Sequence, residues 1–355
     1  MNRRIFRPRA RRTARTPSAL AIGAAAFAGA LIGARALRRR RRLDLDNCVA
    51  VITGGSRGLG LLIARQLGKH GARLMLAARD EAELARARTE LQGQGVTVAT
   101  TVADVGVQAD AERVVAETIE RYGRIDILIN NAGVIRVGPL DHMTIADFEE
   151  SMAVHFWAPL HTTRAAIPHM RRQGGGRIAN VSSIGGKVAV PHLAAYCAGK
   201  FALTGFSSAA RAELARDRIL VTTVAPGLMR TGSPFNAWFK GNHREEFAWF
   251  AIADSLPVLS INADRAAAQI VDAIRHGDAE LTISLPARVA TAAAALIPRT
   301  VAGAMRMTNA LLPKPSKDNR ATSYSGWQSG SAWAPSLLTR LSEKSAARNN
   351  ELPNS

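Results

Sequence analysis

Residues 48–60 read CVAVITGGSRGLG, an apolar run that passes directly into a turn rich in glycine. The apolar run predicts a buried strand, and apolar residues at helical spacing follow over residues 59–70. In such a turn, Gly54 allows the sharp bend, Gly58 lets backbone amides approach an anion, and Gly60 lets the helix pack close to the strand. A strand, turn and helix in this order predict a pyrophosphate site at the helix N-terminus, as in dinucleotide-binding folds.

Short apolar runs alternate with longer amphipathic segments from residue 44 to about residue 286. The apolar runs cover residues 48–53, 73–78, 96–103, 125–130, 176–182, 219–225 and 280–285. The amphipathic segments cover residues 59–70, 81–92, 108–122, 145–172, 192–216 and 264–276. This alternation predicts an α/β fold of Rossmann type, with a doubly wound parallel sheet of seven strands and helices on both faces.

The patterning divides the chain into four regions. Residues 1–42 form a basic and partly hydrophobic segment, residues 43–286 form one α/β domain, and residues 287–313 form a helical extension. Residues 314–355 are rich in Ser, Asn and Pro, a composition that predicts a disordered tail.

The helical extension contains two Ala- and Met-rich stretches at residues 287–297 and 300–312. Arg288, Arg299 and Arg306 lie beside their apolar residues, so both stretches are candidate amphipathic helices. Two interpretations remain open. The helices pack on the core or on a partner subunit, or they lie on a membrane surface.

The N-terminal segment carries most of the positive charge. Residues 1–42 contain 13 Arg and no acidic residue, and removing these charges from the formal net charge of +19 leaves +6 for residues 43–355. Residues 18–34 carry no charge. As a helix they would span about 25 Å, slightly less than the ~30 Å hydrocarbon core of a bilayer. We expect a membrane-associated protein with its folded domain in the cytoplasm; a removed targeting peptide or a disordered basic arm are alternatives.

The composition argues against several classes of protein. A hydrophobic fraction of 47% and a charged fraction of 21% are typical of a globular chain. The basic residues are concentrated at the N-terminus and aromatic residues make up only 5%, so nucleic-acid binding is not expected. Cys48 and Cys197 lack the spacing of a disulfide framework or a zinc site, and we expect no metal.

The end of the second predicted strand bears on the choice of cofactor. An NAD site has a carboxylate there, which binds the adenosine ribose and repels the 2′-phosphate of NADP. This chain has Ala78 and Arg79 instead. Arg79 and Arg57 offer two guanidinium groups to a phosphate, so we expect NADP. In the alternative interpretation Asp80 binds the ribose and both Arg side chains are solvated.

Three downstream side chains form a candidate catalytic group. Ser183 follows the fifth predicted strand, and Tyr196 and Lys200 lie one helical turn apart on the next helix. A phenol has an ordinary pKa of ~10, which a nearby ammonium and an oxidised nicotinamide would lower. Tyr196 is then a candidate general acid/base, while Lys200 would hold the nicotinamide ribose and Ser183 would hold a carbonyl oxygen.

Together these motifs resemble the short-chain dehydrogenase/reductase family of the TGxxxGxG and YxxxK type, over residues 44–285. The resemblance implies a nicotinamide-dependent oxidoreductase that interconverts carbonyl and alcohol groups. The cofactor-binding residues that it implies are Gly54, Ser56, Arg57, Gly58, Leu59, Gly60, Arg79, Asp104, Val105, Asn131, Ala132, Gly133, Tyr196, Lys200, Pro226, Gly227 and Thr231.

The chain departs from the family pattern at one catalytic position. Where the family has an Asn that holds a water in the proton relay with the lysine, this sequence has His155. An imidazole can hydrogen-bond a water, and a pKa near ~6.5 would add a pH dependence. We therefore expect His155 to act as a catalytic residue in a working relay. In the alternative, the relay is disabled and the fold only binds nucleotide.

The segment after Pro226 and Gly227 corresponds to the substrate lid of the family. Six aromatic residues fall within 16 positions there: Phe235, Trp238, Phe239, Phe247, Trp249 and Phe250. They are explained either by packing of a lid helix on the core or by a deep apolar pocket. We expect the pocket, and with it an apolar, lipid-like substrate.

The predicted function is thus NADP(H)-dependent carbonyl and alcohol interconversion. The family resemblance also implies homo-oligomerisation through the helices predicted at residues 145–172 and 192–216. The alternative is a catalytically weak nucleotide-binding sensor or scaffold at a membrane. A nucleotide groove blocked by the protein's own chain would count against the enzyme.

Overall fold

The computed structural model describes residues 29, 33, 35–257, 260–316, 322–331, 333–336 and 339–352. The chain divides into two compact units, Met1–Arg42 and Leu43–Ser355. In the first unit, residues 35–40 are helical, and nearly all of the uncharged run at residues 18–34 lies outside the described residues. Within the described residues, no helix has both the length and the apolar character needed to cross a membrane.

The second unit is built around one parallel sheet of seven strands, as predicted. The strands are β1 Val49–Thr53, β2 Arg73–Ala78, β3 Val98–Val102, β4 Ile127–Asn130, β5 Gly176–Val181, β6 Ile219–Pro226 and β7 Glu280–Ile283. Their spatial order is β3-β2-β1-β4-β5-β6-β7. The order reverses between β1 and β4, and ligands of doubly wound sheets bind at the carboxyl ends of strands at such a switch point.

Helices connect the strands and cover both faces of the sheet. The connecting helices are α1 Gly58–Gly68, α2 Glu81–Gly93, α3 Gln108–Tyr122, α4 Ile145–Met152, α5 Ala158–Arg172, α6 Ala194–Leu214, α7 His243–Ser255 and α8 Ala263–His276. After β7 come α9 Leu285–Leu296, α10 Pro298–Leu311 and α11 Arg340–Arg348. The helix predicted at residues 145–172 is interrupted by one π-helical turn at Ala153–Trp157, which separates α4 from α5.

The core lies on both sides of the sheet because the side chains of a strand alternate between its faces. Ala50 and Ile52 of β1 pack in the cluster that contains α1, α2 and α8. Val51, between them, packs in the cluster that contains α3, α5 and α6. Strands buried on both faces account for the nearly continuous apolar runs in the sequence.

The region after α10 differs from the prediction of a disordered tail. Tyr324–Ser325 pairs with Trp238–Phe239, and α11 packs against α7. Ser342 and Ala346 of α11 are buried. The polar composition of this region concealed these contacts, since small side chains allow a polar helix to pack closely without a wide apolar face.

The extension predicted at residues 287–313 does form two helices, α9 and α10. Ala287 is the one residue of either helix that is buried. Large apolar side chains, including Leu296 and Leu311, project into solvent from this pair.

Candidate active site

The glycine-rich turn joins β1 to α1 in the predicted conformation. Gly54 has a φ of +63°, which glycine adopts without strain, and its amide donates to the Ala77 carbonyl at 2.8 Å. A Cβ added to Gly60 would lie 2.0 Å from the Gly54 carbonyl oxygen. Any side chain at position 60 would therefore push α1 away from the turn.

The residues after β4 brace this turn from the side. The Asn131 side-chain amide donates to the carbonyl oxygens of Thr53 and Gly54 at 3.2 and 3.1 Å. The backbone amides of Asn131 and Ala132 both donate to the Thr53 hydroxyl, at 3.0 and 3.1 Å. Gly133 follows, and a Cβ there would lie 3.3 Å from Nε2 of His155. The predicted cofactor residues of β1, α1 and β4 are therefore neighbours.

Each guanidinium predicted to clamp a phosphate lies near a carboxylate. Arg57 is 3.4 Å from Glu83, which also accepts a 2.8 Å hydrogen bond from the Ser56 hydroxyl. Arg79 lies 4.0 Å from Asp104, and both side chains are exposed. These carboxylates reduce the positive charge available to a 2′-phosphate. The sequence pattern did not indicate the role of Glu83, because it lies on α2 beyond the strand end.

Asp80, which the alternative interpretation assigns to the ribose, lies at the start of α2. Its carboxylate is the N-cap of α2 and accepts a 2.7 Å hydrogen bond from the Glu83 amide. An N-cap interaction of this kind stabilises the helix start by about 1 kcal/mol. The side chain of Asp80 thus has a structural use.

The predicted residues near the nicotinamide end lie at the carboxyl ends of β6 and β7. Pro226 ends β6, and the Gly227 amide donates to the Ile283 carbonyl at 3.1 Å. The Thr231 hydroxyl bonds the Ser233 hydroxyl at 2.6 Å. On the adenine side, Val105 is buried and Asp104 accepts from the Gly106 amide at 3.0 Å, which fixes the turn after β3.

Ser183, Tyr196 and Lys200 meet at the carboxyl end of β5. Ser183 begins a short helical turn after β5, and its hydroxyl accepts from the Gly185 amide at 3.0 Å. The Ser183 side chain lies close enough to Tyr196 to lower the pKa of the phenol. The Lys200 ammonium nitrogen lies 5.7 Å from the centre of the Tyr196 ring and donates to the Val181 carbonyl at 2.8 Å.

Burial dominates the electrostatics of this group. Burial raises the pKa of Tyr196 to about 12, although the Ser183 side chain acts in the opposite direction. Burial also lowers the pKa of Lys200 to about 7. Desolvation thus disfavours the charged form of both side chains.

His155 lies behind Tyr196, with the two rings edge to face at a centroid distance of 5.3 Å. Its Nε2 accepts from the Val134 amide at 3.2 Å, so the ring proton is on Nδ1. Nδ1 lies 3.2 Å from the Ser151 hydroxyl, whose own proton goes to the Ala195 carbonyl at 2.6 Å. Both ring nitrogens are thus engaged by protein groups.

The expectation of a histidine that titrates near neutral pH was wrong. Burial and the nearby Lys200 lower the pKa of His155 well below its ordinary value. The imidazole stays neutral, and it has no free nitrogen for a relay water. His155 lies at the back of Tyr196, on the π-helical turn between α4 and α5.

Comparison with known proteins agrees with this geometry. The family model described as short chain dehydrogenase matches residues 48–237, more than half of the chain. The chain belongs to the short chain dehydrogenase family. Membership places it among oxidoreductases that act on alcohol and carbonyl groups and use a nicotinamide cofactor.

Individual members of the short chain dehydrogenase family are similar to this chain in sequence and in fold. Dehydrogenase/reductase SDR family member 4 from Bos taurus is 36% identical over 220 residues, which cover 62% of this chain and 79% of the relative. L-sorbose reductase from Gluconobacter frateurii, solved with NADPH and L-sorbose, has a TM-score of 0.61 at 26% identity, covering 68% of this chain and 97% of the reductase. An actinorhodin polyketide ketoreductase solved with NADPH has a TM-score of 0.60 at 30% identity, covering 67% and 96%.

The aromatic residues of the lid pack mainly on one another in this dehydrogenase. Phe235, Phe239, Phe247 and Phe250 are buried in one cluster, with ring centroids of neighbouring pairs between 5.5 and 6.1 Å apart. The Trp249 indole donates to the buried Glu246 at 2.7 Å, and Glu246 also contacts His192 at 2.8 Å. Packing therefore accounts for most of these side chains.

A segment that the sequence did not implicate contacts the glycine-rich turn. The Gly58 amide, the first of α1, donates to the Asn349 carbonyl at 2.9 Å. Glu351 is 5% exposed, and its carboxylate accepts from the Gly232 amide at 2.8 Å. A polar chain end gives no periodic signal, so sequence patterning could not place it here.

Proposed function

We propose that this protein is an NADP(H)-dependent oxidoreductase that interconverts a carbonyl and an alcohol on an apolar substrate, with Tyr196 as the general acid/base. The observation that carries the proposal is the meeting of Ser183, Tyr196 and Lys200 at the carboxyl end of β5, beside the braced turn between β1 and α1. Ligand sites of doubly wound sheets lie at this edge.

The turn suits a dinucleotide on structural grounds. Position 60 has no room for a Cβ, and the N-terminus of a helix such as α1 favours an anion. The Gly232 amide already donates to an acidic side chain of the protein, that of Glu351. Gly54, Gly58, Asn131 and Lys200 would hold the cofactor, and a bound NADPH would supply the hydride for carbonyl reduction.

The chain's own residues then have distinct tasks. The Ser183 hydroxyl binds the carbonyl oxygen and stabilises the negative charge that develops there. The Tyr196 hydroxyl gives its proton to that oxygen during reduction and takes it back during oxidation. A phenol with a pKa of about 12 is a poor acid, so Lys200 must hold its proton during turnover to assist the release.

NADP is proposed over NAD because Arg57 and Arg79 flank the expected adenosine site and β2 ends without a carboxylate. Two solved relatives that bind NADPH are consistent with this preference. Glu83 and Asp104 partly offset both guanidinium groups, so the preference should be moderate. Replacing Arg79 by Ala should lower the NADPH/NADH ratio of kcat/KM by about tenfold.

An apolar substrate is proposed because Tyr196 packs against the buried aromatic cluster of the lid and because Lys240 of the lid is already paired. The Lys240 ammonium lies 2.5 Å from the buried carboxylate of Asp147, so it is not available for an acidic substrate. A lipid-like aldehyde or ketone fits a lid of this composition. The polyketide ketoreductase among the solved relatives supports an extended substrate, whereas L-sorbose is polar.

The test is NADPH oxidation by the full chain with a panel of aldehydes and ketones of increasing chain length, alongside polar sugars. The proposal requires kcat/KM to rise with apolar chain length. Turnover of sugars alone would contradict the substrate class. Tight NADPH binding without turnover of any substrate would favour a nucleotide-binding sensor.

Membrane association is proposed for the surface formed by α9 and α10. Leu296 and Leu311 are 81% and 87% exposed, and Arg299 and Arg306 lie on the same pair of helices. Apolar side chains beside arginines fit an anionic lipid surface. In vesicle flotation, the double substitution Leu296→Ser/Leu311→Ser should weaken binding about tenfold, and Leu140→Ser, at an exposed leucine elsewhere, should not.

Homo-oligomerisation is proposed through α5 and α6. Trp157, at the start of α5, and Phe201, on α6, are large exposed apolar side chains of these two helices. Sedimentation of the full chain and of Trp157→Ser/Phe201→Ser tests the assignment, since only the unaltered protein should form dimers or tetramers.

A further inference from the structure

The last described segment of the chain makes a dense set of contacts with the two elements that begin the cofactor site. The Arg65 guanidinium donates to the Asn349 side chain at 2.8 Å and to the Arg348 carbonyl at 2.9 Å. The Asn350 amide donates to the carbonyls of Ser56 and Glu83 at 2.9 and 3.0 Å.

These contacts use the atoms that an anion would need. The Gly58 amide already donates a hydrogen bond to the Asn349 carbonyl. Oε1 of Glu351 lies 3.0 Å from the position of a Cβ built on Gly58, which is the close approach reserved for a phosphate in such a turn. Oε2 of the same carboxylate accepts the amide of Gly232, next to Thr231. The Glu351 side chain thus spans from the glycine-rich turn to the region after β6.

The segment also makes contacts with parts of the chain outside the glycine-rich turn. Ser342 of α11 accepts a 2.7 Å hydrogen bond from Ser255 of α7, and the Glu351 carbonyl accepts from the Asn236 amide at 3.2 Å. The arrangement therefore is a packed conformation of the chain and not a single surface contact.

We propose that residues Asn349–Glu351 are a built-in competitor of the dinucleotide, in which the Glu351 carboxylate takes the place of a cofactor phosphate and must leave before the cofactor binds. This inference rests on the proposed NADP(H) site. It reconciles a groove closed by the protein's own chain with membership of an oxidoreductase family: the structure is the closed state of a protein that opens.

Docking of the segment should weaken the binding of the cofactor. A segment that must be displaced lowers the apparent affinity of the cofactor in proportion to the closed fraction. Each neutral hydrogen bond is worth roughly a factor of five in such an equilibrium. Asn350 has a φ of +57°, which Asn tolerates better than Ala does, so replacing it weakens docking through both the side chain and the backbone.

The experiment measures NADPH binding by nucleotide fluorescence in the full chain. Asn350→Ala/Glu351→Ala should tighten Kd by about tenfold or more. Lys344→Ala is the control, because Lys344 is an exposed residue of the same helix α11 and should leave Kd unchanged. A Kd of the double variant within twofold of the unaltered protein overturns the competition but leaves the cofactor site intact.

A second measurement uses the unaltered protein and does not depend on a variant. Hydrogen exchange of residues 340–352 should become faster when NADPH saturates the protein, since the segment is displaced. Slower exchange would mean that the segment closes over the cofactor, and the competition would be wrong. Absence of NADPH binding to both the unaltered chain and the variant would overturn the proposed function together with this inference.

Discussion

The Lys200 ammonium nitrogen lies 5.7 Å from the ring centre of Tyr196, and burial moves the pKa of each group away from its charged form. Burial alone therefore favours the neutral form of both groups. A bound anion-bearing cofactor would favour the ammonium, and an ammonium favours the phenolate. In this account, cofactor binding and activation of Tyr196 are coupled through Lys200.

Lys200→Met should make the cofactor-free protein more stable while abolishing turnover. The pKa of Lys200 falls from 10.5 to about 7, so the folded state binds fewer protons than the unfolded state between these values. Burial of the Lys200 ammonium therefore destabilises the fold fully below pH 7, and this destabilisation disappears as the pH rises toward 10.5. We expect a gain of ~1–2 kcal/mol in the free energy of unfolding at pH 7, reduced by the lost bond to Val181.

Urea unfolding of both proteins at pH 7 and pH 10 checks this prediction. The variant should be more stable at pH 7 and lose that advantage at pH 10. A variant less stable at pH 7 would show that the ammonium contributes favourably to the cofactor-free fold.

The affinity for NADPH should depend on pH through Glu351. Burial raises its pKa from 4.5 to about 7, and Arg57 and Glu83 act in opposite directions around it. The nearby Asp254, which itself faces Arg230, is also shifted toward its neutral form. A raised pKa means that docking of the segment is strongest below pH 4.5 and weakens as the pH rises to about 7. Cofactor affinity should therefore increase over that interval.

Glu351→Gln isolates this effect because it keeps the shape and removes the titration. The ratio of the Kd values of the two proteins should change with pH between 5 and 7 and then level off. A constant ratio over pH 5 to 8 would exclude Glu351 as the titrating group.

Replacing His155 by Asn should reduce stability without changing the shape of the pH profile of kcat/KM between pH 5 and 7. The buried ring is neutral there and accepts from the Val134 amide at 3.2 Å. A smaller side chain loses that bond and leaves a cavity, at a cost of about 2–4 kcal/mol. Thermal unfolding and pH-rate profiles measure the two effects. An inflection near pH 6 that disappears in the variant would show that His155 does titrate in this range.

Gly60→Ala should abolish NADPH binding, because the added Cβ would lie 2.0 Å from the Gly54 carbonyl oxygen. Gly93→Ala, at the end of α2, is the matched control: its Cβ would meet no atom within 4 Å. The control should keep its affinity and gain up to about 0.5–1 kcal/mol of stability from the helix preference of Ala. Equal NADPH affinity in the two variants would show that the turn is not the pyrophosphate site.

The sequence specified the sheet, the turn and the catalytic group because each has a local pattern: apolar runs, glycine spacing, and a tyrosine and lysine one helical turn apart. It did not specify the surroundings of these residues. The neutral state of His155 depends on the amide of Val134 and the hydroxyl of Ser151, which only the folded chain brings together. The docking of Glu351 against Gly232 depends on polar contacts, which have no periodicity to detect.

The central claim is proton transfer by Tyr196, and single-turnover oxidation of NADPH by Tyr196→Phe tests it most directly, with the best substrate of the unaltered protein. The Phe ring keeps the packing against His155 and removes only the hydroxyl. We expect the rate to fall at least a hundredfold while Kd for NADPH stays within about twofold. A variant that oxidises NADPH as fast as the unaltered protein would contradict the account.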